Sequence, residues 1–105
     1  MTYRIEIAAQ ARRDINECLA HFSEYNESFS TQQMARLDYI FSDVLSQSPR
    51  TWNFFFVTGA PFRAYLFRVG WRTSYWIVYT VDEGARRVDV LRFWNASRHT
   101  GAFEI

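Results

Sequence analysis

The stretch Tyr3-Arg4-Ile5-Glu6-Ile7 alternates apolar and polar side chains, a period of two that predicts a short strand with one buried face. The period then changes. From about Ala9 to Asn26 an apolar stripe runs through Ala8, Ala11, Ile15, Leu19 and Phe22 at spacings of three and four, which predicts an amphipathic helix. Asn26-Glu27-Ser28 reads as a turn. Ser30, with Gln33 three residues on, has the pattern of a capping box opening a second helix. That helix carries Met34, Leu37, Ile40, Phe41, Val44 and Leu45 on one side. Ser48-Pro49 ends it, because the residue before a proline disfavours helical backbone. A short link between two amphipathic helices predicts an antiparallel hairpin.

Everything after Pro49 reads as sheet. Phe62 to Val69 predicts one strand, and Tyr75 to Val81 a second, aromatic and β-branched on both faces and therefore central. Asp82-Glu83-Gly84-Ala85 predicts a hairpin turn, and Val88 to Trp94 a third strand. The order β-α-α-β-β-β predicts one α+β domain over residues 1–105. Its helical hairpin packs on one face of a small antiparallel sheet and leaves the other face partly open.

Composition supports that reading. A chain of 105 residues buries only about two thirds of its unfolded surface, so its core needs large side chains, and 19% of these residues are aromatic. The single cysteine, Cys18, excludes an intrachain disulfide and suits a reducing cytoplasm. Met1 to Glu6 has no apolar segment of a signal peptide, and Phe54 to Val57 is far too short to cross a bilayer, so no membrane partner is expected. Net charge is only +1, but its distribution is uneven. All 12 cations are arginines, and from Pro49 onward eight of them face four acids, whereas before it seven acids outnumber four arginines. The sheet half is thus basic, and arginine suits forked contacts to phosphate or carboxylate. Codon usage in a GC-rich gene also favours arginine over lysine.

Three strings carry a resemblance. Ala11-Arg12-Arg13-Asp14-Ile15 opens the first helix, Tyr75 to Glu83 forms a strand and turn, and Val88 to His99 forms the last strand and tail. Placed in this order in a chain of this length, they resemble the RelE/ParE superfamily of type II toxins. The resemblance implies that a cognate antitoxin binds and neutralises the protein. It also implies one of two activities: ParE-like growth inhibition by poisoning DNA gyrase, or RelE-like ribosome-dependent cleavage of mRNA. A non-toxic module that binds an antitoxin is a third possibility.

The candidate residues follow from chemistry and resemblance together. Cleavage through the 2′-OH needs groups that exchange protons near neutral pH and cations on the scissile phosphate. The nucleolytic candidates are Arg68, Arg92, Arg98 and His99. Against cleavage, Trp76 falls where the family often has arginine, and Asn95 where many members have histidine. Arg63, Arg68, Arg72, Arg92 and Arg98 are the candidates for target binding. Strict alternation puts Arg63 and Arg68 on opposite faces of their strand. Trp52, Phe54, Phe55 and Phe56 form the expected antitoxin-binding segment. Cys18 and His21, with only His99 in addition, lack the ligands of a zinc site, so no metal or cofactor is expected.

Overall fold

The computed structural model describes residues 2–52, 62–69 and 73–97. The elements are β1 (Arg4–Ile7), α1 (Ala9–Tyr25), α2 (Glu27–Tyr39), a π-helical turn over Ile40–Leu45 that continues α2, β2 (Arg63–Arg68), β3 (Ser74–Asp82) and β4 (Arg87–Asn95). The strands are ordered β1-β4-β3-β2. β2, β3 and β4 form the expected antiparallel meander. β1 departs from expectation: it joins parallel to β4, with Arg4 opposite Arg87 and Ile7 opposite Val90, so the sheet is mixed. The helix pair that follows β1 carries the chain across before the meander returns to it, and such a connection permits a parallel neighbour.

Both helices lie on one face. α1 buries Ala11, Ile15, Cys18 and Phe22, the expected stripe with Cys18 added, Leu19 only partly buried and Ala8 left exposed. These pack with Leu37, Ile40 and Leu45 onto Phe67, Ile77, Tyr79, Val88, Val90 and Phe93 of the sheet. Tyr79 is fully buried, and its hydroxyl donates to the Pro49 carbonyl at 2.6 Å, which ties the end of the helical hairpin to the sheet.

The expected capping box at Ser30 does not form. Asn26 ends α1 and caps α2 at once: its N–H donates to Phe22 O, and its side chain accepts from Phe29 N at 3.2 Å. Ser30 therefore lies inside α2, where its hydroxyl donates to the Leu19 carbonyl and bridges the two helices. An asparagine is as good a cap as serine, and one residue shared by two helices leaves no room for a longer turn.

On the opposite face Phe62, Ala64, Trp76 and Val78 pack together. This face is less open than expected at its centre, where Val78 is 0% exposed. The β3–β4 hairpin turns through Glu83–Arg86, with Arg86 in the left-handed region at φ 52°. A register shift between Val78 and Tyr79 places a bulge at Leu91 of β4.

Candidate functional site

β1 is short and covers β4 only as far as Val90. Beyond that point no strand lies beside the outer edge of β4 among the described residues, and α1 closes the gap with one side chain. The Asp14 carboxylate accepts from Arg92 Nε at 2.8 Å and from the Phe93 backbone N–H at 3.1 Å. A sheet edge exposes unsatisfied N–H groups, and here a carboxylate satisfies one of them while neutralising the neighbouring cation. The pair is largely withdrawn from water, with side-chain exposures of 14% for Arg92 and 10% for Asp14. The Arg92 guanidinium also lies 5.0 Å from the centre of the Trp94 ring. A cleft of about 170 Å³ opens beside this pair, with His21, Tyr75 and Asn95 on its walls.

Arg63 and Arg68 do not gather around Arg92. The β2–β3 register runs without a break from Arg63 opposite Tyr79 to Arg68 opposite Ser74, so Arg63 and Arg68 point to opposite faces, as alternation requires. Arg63 lies on the helix side and donates to the carbonyls of Trp52 at 2.7 Å and Arg50 at 3.3 Å. Arg68 is exposed on the far face at the end of β2. Four residues along β3 and two strand spacings separate it from Arg92, which puts their Cα atoms roughly 16 Å apart. Arg72, Arg98 and His99 lie outside the described residues, as do Phe54, Phe55 and Phe56. Trp52 is described: its ring stands edge-on to Tyr65 at 4.6 Å.

Burial pushes the Tyr79 hydroxyl far above its ordinary range, only partly offset by the charge of Arg63. Burial also raises the Cys18 thiol, with a smaller opposing effect from its hydrogen bond to Tyr75. His21 is exposed on α1, with Nδ1 3.9 Å from a Glu24 carboxylate oxygen. No cluster of three or more His, Cys, Asp or Glu side chains suited to a metal occurs among the described residues. Nor is any described helix long and apolar enough to cross a membrane.

Sequence reasoning missed the role of Asp14. It stands in the string Arg12-Arg13-Asp14 that opens α1, where a surface role is the ordinary reading, and its partner is 78 positions away. It also missed Arg36, which is held above the Phe67 ring at 4.6 Å. The only signal was a polar Gln33 at a position that proves to be buried.

The architecture is that of a RelE/ParE-type toxin fold. It is similar to a chain of the toxin–antitoxin complex RelBE2 from Mycobacterium tuberculosis, with a TM-score of 0.61 and 21% identity over 90% of this chain and 99% of that one. No protein-family model matches the chain, and no curated protein matches it.

Proposed function

We propose that this protein is the toxin of a type II toxin–antitoxin pair, that a cognate antitoxin neutralises it, and that it inhibits growth by a ParE-like route with DNA gyrase as its target. One observation carries the choice of route. Arg92, one of the two cations of the last strand, is neutralised by Asp14, and its neighbours on that face are Trp94 across from Trp76, with Val78 and Ala64 beside them. General acid–base help is worth roughly two to four orders of magnitude in rate and needs a group that exchanges protons near neutral pH. Arginine stays charged and tryptophan does not titrate. Arg63, Arg68, Arg72, Arg92 and Arg98 remain the proposed target-binding set, and Trp52 with Phe54, Phe55 and Phe56 the proposed antitoxin segment. Gyrase is cytoplasmic, so the reading places the protein there.

The test is expression of the chain in a bacterial host, alone and with the product of the adjacent open reading frame. Growth arrest relieved by the partner, together with gyrase-dependent DNA cleavage by purified protein, is the expected result. Absence of arrest would leave only the non-toxic antitoxin-binding module.

The sequence resemblance leaves a second reading, RelE-like ribosome-dependent mRNA cleavage with Arg68, Arg92, Arg98 and His99 as the catalytic candidates. Primer extension on a translated message decides between the two. Strong codon-positioned cleavage, lost in His99→Ala, would make the protein an endoribonuclease.

A further inference from the structure

The cleft between α2 and the edge strand β2 holds a guanidinium that the fold has fixed in place. Arg36 Nη1 donates to Gln33 Oε1 at 2.5 Å, and Gln33 is only 4% exposed. A buried amide with this partner acts as an anchor, since an unpaired polar group there would be costly. The guanidinium plane rests over Phe67 at 4.6 Å, on a ring that is itself 1% exposed. Two restraints, one polar and one aromatic, hold a side chain that is otherwise mobile on a helix surface. Among the described residues no carboxylate lies within ion-pair distance of it.

The space beside it is about 360 Å³, walled by Ala35, Tyr39, Ile40 and Tyr65. Tyr39 is 59% exposed. Tyr65 touches Trp52, the one described member of the proposed antitoxin segment. Ile40 begins the π-helical turn, a distortion of a kind that often marks a functional surface.

We propose that this cleft docks an acidic amphipathic segment of a protein partner, with a Glu or Asp carboxylate on Arg36 and an apolar side chain one helical turn away against Tyr39, Ile40 and Tyr65. A pre-positioned guanidinium with no carboxylate partner among the described residues matches a carboxylate. The aromatic and aliphatic walls match the apolar face of a helix laid in a groove. A nucleic-acid strand is disfavoured because it needs several cations along its backbone, and this cleft supplies one. That the partner is the antitoxin rests on the toxin reading; the chemistry of the docked segment does not.

The test uses the full chain and a short fluorescent amphipathic peptide carrying Glu one helical turn from Leu, with its Gln counterpart and oligouridine as comparisons. The Glu peptide is expected to bind. Arg36→Ala and the Gln peptide should each weaken binding roughly tenfold or more, the size of one charge-assisted contact. Arg36→Lys should weaken it as well, because an ammonium cannot stack and fork in the same place. Tyr39→Ala, at an exposed position that leaves folding untouched, should weaken it by a smaller factor. Arg13→Ala, on the exposed side of α1 and outside every proposed binding set, should leave peptide binding unchanged. Equal binding of the Glu and Gln peptides, binding unaffected by Arg36→Lys and Tyr39→Ala, no binding by the wild-type chain, or displacement by oligouridine would each overturn the proposal. Growth arrest and its relief by the adjacent gene product are scored separately, so failure of the toxin reading is distinguishable from failure of the docking site.

Discussion

Asp14 and Arg92 meet at 2.8 Å across the gap between the first helix and the last strand, and the same carboxylate holds the Phe93 N–H. Removing either member takes the counter-charge from the other at a place largely withdrawn from water. Asp14→Ala should lower unfolding free energy by about 3 kcal/mol, and Arg92→Ala by a similar amount. The double variant should lose less than the sum, because the second substitution removes a charge the first has stranded. Urea denaturation of the three variants checks this. A fully additive double variant would show that the pair is not coupled. Loss of activity in Arg92→Ala is then no evidence of target contact unless stability is measured beside it.

Arg68 is the contrasting case. It is exposed at the end of β2, so Arg68→Ala should leave the melting temperature unchanged. If the far face of the sheet meets the target, the same substitution should reduce growth inhibition. A folded Arg68→Ala variant with full potency would move the target surface elsewhere on the protein.

Asn26→Ala should cost about 1 kcal/mol, the ordinary value of an N-cap, whereas Ser30 is no cap and removing its hydroxyl loses only a link to Leu19. Thermal melts of the two alanine variants distinguish the roles. A larger loss at Ser30 through fraying of the first turn of α2 would contradict the assignment.

This capping exchange shows where sequence reading reached its limit. The periodicities of α1, β3 and β4 were legible because Ala11, Ile15 and Phe22, or Ile77 and Tyr79, repeat at the spacing of the surface they bury. Serine and asparagine are nearly equivalent caps, so the box pattern at Ser30 and Gln33 competed with Asn26 on equal terms. Side-chain alternation reports which face a residue occupies and says nothing about which strand lies beside it. The parallel seat of β1 on β4 was therefore hidden, and the contact of Asp14 with Arg92 was hidden with it. Parity separates Arg63 and Arg68, but a bulge would have joined them and a sequence cannot show one; the unbroken β2–β3 register excludes it.

The Tyr79 hydroxyl gives a pH signature. Its ionisation is pushed above the ordinary value by burial, so the unfolded chain releases that proton at lower pH than the folded one. The contribution is fully present below about pH 10 and is lost as pH rises beyond it. Wild-type stability should therefore fall on the alkaline side. Tyr79→Phe should cost about 1 kcal/mol at neutral pH, by leaving the Pro49 carbonyl unpaired, and should fall less steeply above pH 10. Parallel alkaline slopes for the two proteins would exclude Tyr79 as the cause.

Cys18 is buried and its thiol is raised, so the reactive thiolate is scarce at neutral pH. Alkylation by iodoacetamide should be slow in the native protein and fast in urea. Rapid native labelling would mean that the contact between α1 and Tyr75 opens readily.

The seat of β1 beside β4 also sets an order of events during synthesis. Arg4 to Ile7 are made before every other described element, yet their partners Arg87 to Val90 are nearly the last of the described residues to follow. Until then the N-terminal strand has no neighbour, and the helical hairpin has no completed sheet to cover. Pairings this distant along the chain slow the search for the native state. A nascent copy therefore stays open until β4 has been made, and a transcript that stops before β4 yields a chain that cannot close this sheet.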